Sequence, residues 1–228
     1  GDVYKRQAVC AFVSFRLGLT DGVSVVTGHW QRAVESMGFD TVTVASEGPV
    51  DRTVAGLELA AANPPDLDEL RAALADADLI VVENLCTIPL NLPAARAVAE
   101  ICAGRPTVMH HHDPPWQRAH FAHITELPIE DPAWRHVTIN DLTRDQFHDR
   151  GIDAVRIYNG FPTDTRPGTS PELRAMLDIA PDEVVLAHPV RAIERKDVPR
   201  AIAIAEELDA TYWLWGPAED GYGDELSR

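Results

Sequence analysis

Apolar runs of strand length alternate with helical periodicity along most of this chain. Six such runs occupy residues 8–15, 41–45, 79–82, 107–111, 136–139 and 155–158. Between the first two, one helical face collects the apolar side chains of Val23, Val26, Trp30, Ala33, Val34 and Met37, and Gly38 provides a stop. A further helix is predicted to begin at Asp66, in a capping-box pattern with Glu69. Strands alternating with helices predict an α/β fold, in which a Rossmann-like parallel sheet is covered by helices.

The character of the sequence changes after Asn159-Gly160. Proline and polar residues between 161 and 169 indicate a linker. Ser170-Pro171 then has the residue types of a helix start. Beyond it we expect a strand at 184–190, a helix after Asp197 and a strand at 211–215, which together form one βαβ unit.

These patterns divide the chain into regions. We expect an amino-terminal Rossmann-like domain at 8–160 and an incomplete second Rossmann-like domain at 170–228. Two parallel strands alone leave apolar faces uncovered, because parallel sheets are normally buried on both sides. The chain is therefore expected to be a fragment. Residues 1–7, GDVYKRQ, end abruptly where the first strand begins and look like a non-native remnant.

Composition narrows the class of protein. With 228 residues and 45% hydrophobic content, the chain is expected to be globular. A net charge of −16 disfavours nucleic acid as a partner, since such binding depends on cations that neutralise phosphates. Three cysteines in apolar segments suit buried thiols in a reducing compartment. No apolar run is long enough to span a bilayer, so we expect a cytoplasmic protein, for which peripheral membrane contact stays open.

Cations follow the strand at 184–190. Arg191, Arg195 and Lys196 lie between this strand and the next helix, where ligands bind in open α/β sheets. Arginine offers a planar fork to phosphate oxygens and lysine a compact charge. The turn therefore indicates an anionic substrate, with a solvated charged face beside Glu194 and Asp197 as the alternative.

Three histidines and an aspartate, residues 110–113, follow the strand at 107–111 and offer common metal ligands. Because successive strand residues face opposite sides, His110 and His112 share a face and His111 points away. The spacing alone leaves open structural histidines, a metal site, and a catalytic or acceptor-binding role.

Four segments in order resemble retaining, nucleotide-sugar-dependent glycosyltransferases of the GT-B fold, family 4. They are SFRLGLTDGVSVVTGHWQRAVESMGFDTVTVAS, MHHHDPPWQR, HVTINDLTRDQFHDRGIDAVRIYNGF and VVLAHPVRAIERKDVPRAIAIAEELDATYWLWGPAEDGYG. The resemblance implies a GT-B-like fold of two Rossmann-like domains. It also implies transfer of a sugar from a nucleotide diphosphate to an acceptor hydroxyl, with retention of anomeric configuration.

The resemblance also implies roles for individual residues. Arg191 and Lys196 match the pair that holds the donor diphosphate, and Gly22 matches the glycine of the first loop. Asp21 departs from the pattern, because a carboxylate there repels the diphosphate unless it is turned away as a helix cap. Gly216 and Glu219 are weaker donor-binding candidates.

On the acceptor side, His112 matches a histidine that contacts the transferred sugar or the reacting hydroxyl, with Asp113 orienting it. Trp116, Gln117 and Arg118 would shape the acceptor cleft, although Trp116 has packing as an alternative role. No metal or other cofactor is expected, since cationic side chains and helix dipoles stabilise the leaving group in this family.

The resemblance stops short of the whole family pattern. Relatives carry two glutamates separated by seven residues later in the second domain, and no glutamate here has another eight positions onward. The chain alone is therefore expected to bind donor poorly and to be inactive. Two other functions stay open: a metal-dependent hydrolase centred on His110, His112 and Asp113, and a non-catalytic module that binds a nucleotide or sugar.

Overall fold

The computed structural model describes residues 6–61, 63–163, 171–218 and 221–226. Two compact units divide the chain, Gly1–Thr163 and Asp164–Arg228, called unit 1 and unit 2 below.

Unit 1 is built on a seven-stranded sheet in which every neighbouring pair is parallel. Its strands are β1 (Ala8–Val13), β2 (Phe39–Ala45), β3 (Arg52–Thr53), β4 (Leu79–Glu83), β5 (Thr107–His111), β6 (Trp134–Thr138) and β7 (Ala154–Arg156). They lie in the order β3-β2-β1-β4-β5-β6-β7. The α/β class and the parallel sheet predicted from the hydrophobic pattern are confirmed.

The order of the strands reverses direction between β1 and β4. From β1 the chain proceeds through β2 to β3 on one side of the sheet, and from β4 through β5 to β7 on the other. In open α/β sheets, ligands bind outside the carboxyl ends of the strands at this switch point. The residues that follow β1, β4 and β5 are therefore candidates for a ligand-binding site.

Four α-helices accompany this sheet in the described part of unit 1: α1 (Gly22–Ser36), α2 (Leu67–Ala73), α3 (Leu92–Cys102) and α4 (Asp141–His148). Each is preceded by a residue whose side chain accepts hydrogen bonds from backbone N–H groups of the first turn. These capping residues are Asp21, Asp66, Asn91 and Asn140. The start predicted at Asp66 is confirmed, since its carboxylate accepts from the N–H groups of Asp68 and Glu69.

The core of unit 1 explains why its central strands were recognisable. Val13 in β1, Val82 in β4 and Met109 in β5 belong to one buried cluster with residues of α2 and α3. Phe12 and Val81 point to the other face and pack in a second cluster with Val34 of α1. Burial on both faces produces the nearly continuous apolar runs that are typical of parallel strands.

Unit 2, as described, contains α5 (Pro171–Met176), β8 (Val185–His188), α6 (Val198–Glu207), β9 (Thr211–Leu214) and α7 (Gly223–Leu226). Strands β8 and β9 pair in parallel through the α6 crossover, as the βαβ pattern predicted. The side chains of Val184, Met176 and Trp215 are largely exposed. Ser170, the predicted cap of α5, lies outside the described residues.

None of the helices within the described part of the chain combines the length and the apolar character needed to cross a membrane.

Candidate functional site

The carboxyl ends of β4 and β5 bring a buried glutamate against two histidines. Glu83 is the last residue of β4 and lies directly opposite His110 of β5 in the register of the sheet. Its Oε2 atom is 2.8 Å from Nδ1 of His110 and 3.3 Å from Nε2 of His112. As predicted, His110 and His112 share a face, and their ring centroids are 4.5 Å apart. We call these three residues the Glu-His-His cluster.

Burial and hydrogen bonding have opposite effects on the Glu83 carboxyl group. Its exposed fraction is 0%, and burial alone would raise its pKa. Hydrogen bonds and charge interactions with His110 and His112 outweigh that effect and hold the pKa of Glu83 below its usual value. The group is therefore a buried carboxylate whose charge depends on the two imidazoles.

Each member of the Glu-His-His cluster offers one ligand atom, a ring nitrogen or a carboxylate oxygen. These three atoms all lie within 4.8 Å of one another, a separation that a single metal ion can bridge. The carboxylate in this arrangement is that of Glu83, whereas the metal hypothesis from the sequence had named Asp113. The only sequence signal for Glu83 was an acidic residue at the end of the apolar run LIVVE.

Asp113 takes part in a different set of contacts. Its carboxylate accepts hydrogen bonds from Asn84 Nδ2 at 3.1 Å and from Arg118 Nη2 at 2.5 Å. Asn84 Oδ1 in turn accepts from the backbone N–H groups of both His112 and Asp113, each at 3.1 Å. The side chain of Asn84 thus holds the loop after β5, and Asp113 holds Arg118. The carboxylate that contacts the His112 ring is that of Glu83.

His111 points to the opposite face, as the strand alternation predicted. Its Nδ1 atom is 2.6 Å from Thr87 Oγ1, and its Nε2 atom is 2.9 Å from Nδ1 of His136. The ring also packs against Phe147 of α4, with centroids 4.5 Å apart. Burial lowers the pKa of His111 well below its usual value and lowers the pKa of His136 to about 4. His111 is therefore a neutral core histidine.

The pair of buried histidines predicts a loss of stability in acid. Because the pKa of His136 is about 4 in the folded state and about 6.5 when unfolded, the unfolded chain takes up the proton first. The contribution of His136 is complete above pH 6.5, and we expect it to lower the free energy of unfolding by about 2–3 kcal/mol between pH 6.5 and 4. Urea denaturation at several pH values measures this slope.

A matched pair of variants isolates the group responsible. His136→Gln should make the decrease between pH 6.5 and 4 shallower, with His111 still contributing, whereas His148→Gln, at an exposed position of α4, should keep the wild-type profile. An unchanged slope in His136→Gln would contradict the assignment.

Trp116, Gln117 and Arg118 follow the histidine loop and partly serve to attach it to α4. The indole Nε1 of Trp116 donates to Gln146 Oε1 at 2.8 Å, and the ring lies beside Phe147. Gln117 Nε2 donates to Thr143 Oγ1 at 3.0 Å. The packing alternative for Trp116 therefore has direct support. Arg118 is half-buried and paired with Asp113.

The loop after β1 shows which way the carboxylate of Asp21 points. The Asp21 carboxylate accepts from the backbone N–H groups of Val23 and Ser24, at 3.1 and 3.2 Å, and lies 3.4 Å from Arg16 Nε. It is thus turned onto the helix as a cap, the condition under which it does not repel an anion. Gly22 is the exposed first residue of α1, and a Cβ atom added there would have open space around it.

In unit 2, both predicted diphosphate ligands lie between the end of β8 and the start of α6. Arg191 is exposed, and Lys196 closes a short 3₁₀ turn, Glu194–Lys196, where it is half-buried. Asp197 follows with left-handed backbone angles, φ 49° and ψ 52°, and its carboxylate caps α6 at the N–H of Arg200. The local order strand, cations, helix agrees with the prediction from the sequence.

Gly216 has a structural reason to be glycine. A Cβ atom there would lie 2.1 Å from the backbone oxygen of Val190, too close for any side chain. The backbone after β9 therefore packs directly on the backbone after β8, and the N–H of Ala192 donates to Pro217 O at 2.9 Å. The other candidate in this loop, Glu219, lies outside the described residues.

Comparison with known proteins adds evidence at low identity. No protein-family model matches the chain. It is 28% identical over 247 aligned positions to mannosylglucosylglycerate synthase of Thermotoga maritima, with 88% of the chain and 57% of that protein covered. It is 22% identical to mannosylglucosylglycerate synthase of Petrotoga mobilis, with 86% of the chain and 56% of that protein covered. The chain thus spans little more than half the length of either relative, and both relatives are glycosyltransferases by name.

Proposed function

We propose that the chain belongs to a retaining glycosyltransferase of the GT-B fold, family 4, which transfers a sugar from a nucleotide diphosphate to an acceptor hydroxyl. One observation carries the proposal. Arg191 and Lys196 lie between a parallel strand and the following helix, in a chain similar to two mannosylglucosylglycerate synthases. The α/β fold with a switch point in unit 1 supports it.

On the donor side, Arg191 and Lys196 bind the diphosphate. The guanidinium of Arg191 can form two parallel hydrogen bonds to phosphate oxygens, and the ammonium of Lys196 adds a point charge. Both cations act most strongly when the bond to the sugar breaks and negative charge develops on the leaving diphosphate. The proposal therefore requires no divalent ion at this diphosphate site.

On the unit 1 side, His112 is the residue proposed to contact the transferred sugar or the reacting hydroxyl. Its side chain is 8% exposed, and Nε2 faces Glu83, so Nδ1 is the nitrogen available to a substrate. Asp113 and Arg118 form the adjacent ion pair, whose guanidinium can also bind an anionic group of the acceptor. Gly22, at the exposed start of α1, has no side chain to keep a substrate oxygen from its own backbone N–H, while the next two N–H groups of the helix donate to Asp21.

The names of the relatives suggest substrates for the first assay. We propose a mannosyl group as the sugar transferred and an acceptor that ends in glycerate. The carboxylate of such an acceptor would suit Arg118, which is the half-buried cation next to the histidine loop.

A transfer assay on the full-length product of the gene tests the function. Mannose and glucose esters of guanosine and uridine diphosphate would be offered with glucosylglycerate or glycerate. We expect one donor to yield a new glycoside whose anomeric configuration, measured by nuclear magnetic resonance, is that of the donor. Reactions without acceptor serve as controls.

Other outcomes would decide against the proposal. Release of free sugar without glycoside would favour a hydrolase, and tight binding of a nucleotide without turnover would favour a binding module. An inverted product would exclude the retaining mechanism while leaving glycosyl transfer in place.

A further inference from the structure

The Glu-His-His cluster has the geometry of a metal site. His110 lies in β5 and His112 directly follows the end of that strand, while Glu83 lies on the neighbouring strand β4 directly opposite His110. The distances from Glu83 Oε2 to the facing ring nitrogens are 2.8 and 3.3 Å. Ligand atoms around a tetrahedral zinc ion lie about 3.3 Å apart, because each is about 2.0–2.2 Å from the metal. Small side-chain adjustments would therefore place all three residues around one ion.

The cluster also contains polar atoms that hydrogen bonding leaves unused. Glu83 Oε1 and His110 Nε2 are buried and have no hydrogen-bond partner in the described part of the chain. Leaving such an atom unpaired in the interior costs about 1–3 kcal/mol, and more when the group is charged. A cation bound at the carboxylate would compensate this cost at Glu83.

The charge of the Glu-His-His cluster also favours a bound cation. Glu83 and His110 are fully buried, and Glu83 forms ion pairs with no lysine or arginine among the residues described. With both imidazoles neutral, the cluster carries one uncompensated negative charge in a medium of low polarity. A divalent ion supplies the missing positive charge, and so would a proton on one imidazole.

We propose that Glu83, His110 and His112 bind a divalent transition-metal ion such as Zn²⁺. Two imidazoles and one carboxylate suit Zn²⁺ and its neighbours in the first transition row, whereas Mg²⁺ and Ca²⁺ prefer oxygen ligands. The ion links the carboxyl end of β4 to that of β5 and fixes the position of the His112 ring. This proposal stands apart from the diphosphate site of unit 2 and does not rest on it.

Metal analysis of the purified 228-residue chain tests the site directly. After incubation with Zn²⁺ and removal of excess metal, we expect about one ion per chain by elemental analysis. Loading with Co²⁺ should give visible absorption bands, which added Zn²⁺ abolishes and added Mg²⁺ leaves unchanged. Bound Zn²⁺ should also raise the melting temperature, because an ion that binds the folded state alone stabilises it.

Variants identify the ligands. Glu83→Gln and His112→Gln should lose stoichiometric Zn²⁺ and the Co²⁺ bands, while His123→Gln, an exposed histidine outside the cluster, should retain both. Circular dichroism establishes that each variant is folded.

Two results would overturn the proposal. Folded wild-type protein that takes up no Zn²⁺ or Co²⁺ would show that the cluster is balanced by a proton. Stoichiometric Zn²⁺ binding that persists in Glu83→Gln and in His112→Gln would assign the ion to other groups.

Discussion

Replacement of Arg191 and Lys196 together by alanine is expected to weaken binding of the nucleotide-sugar donor to the full-length protein by about 100-fold or more. Hydrogen bonds to charged groups contribute about 1.5–3 kcal/mol each, and two such contacts are lost. Each single substitution should weaken binding by about 10-fold, at the lower end of that range, because Arg191 is exposed and Lys196 half-buried. Isothermal titration calorimetry measures the affinity.

The neighbouring Arg195 provides a matched control. It is an exposed cation in the same turn but is not one of the two residues assigned to the diphosphate. Arg195→Ala therefore changes the net charge of the turn by the same amount as either single variant and should leave affinity within about threefold. Equal losses in all three single variants would mean that general charge, and not a defined diphosphate site, attracts the donor. Unchanged affinity in the double variant would show that the site is elsewhere.

Phe147→Ala is expected to lower the free energy of unfolding of unit 1 by about 3–5 kcal/mol. The ring is 0% exposed and packs against His111, Trp116 and His136, so its removal leaves a cavity between α4 and the sheet. Hydrogen exchange in a urea series, read by mass spectrometry, reports unit 1 separately from unit 2. The histidine loop should lose protection together with α4.

Leu142 lies on the same helix and supplies the comparison. Its side chain is 64% exposed, so Leu142→Ala should change the free energy of unfolding by no more than about 0.5 kcal/mol. If both variants unfolded at the same urea concentration, the packing of Phe147 could not be what holds α4 on the sheet.

The fold was predictable where burial of a strand requires a simple pattern of apolar residues. Strands β1 and β4 are covered on both faces, so their apolar runs were found with small errors at the ends. Strand β3 was missed because it contains only Arg52 and Thr53, too short for any periodicity. At the other edge of the sheet, the predicted strand 155–158 begins earlier and ends at Arg156, because exposed Ile157 and Tyr158 are apolar without being in the sheet.

The candidate site was less visible than the fold. His112 and Asp113 were identified because they are adjacent in a distinctive sequence. Glu83 was missed because its partners are 27 and 29 positions away, and only the register of β4 against β5 brings them together. A single sequence shows the residues of each strand but not the register in which neighbouring strands pair. The contacts of Trp116 with α4 were hidden for the same reason.

The backbone contact between Gly216 and Val190 has a consequence for anyone who wishes to redesign donor preference. The segment that carries Arg191 can be randomised only while position 216 keeps its hydrogen atom, because a methyl group there would push the two loops apart. A library that varies residues 191–196 and leaves this glycine untouched should therefore yield many more folded members than one that varies both loops.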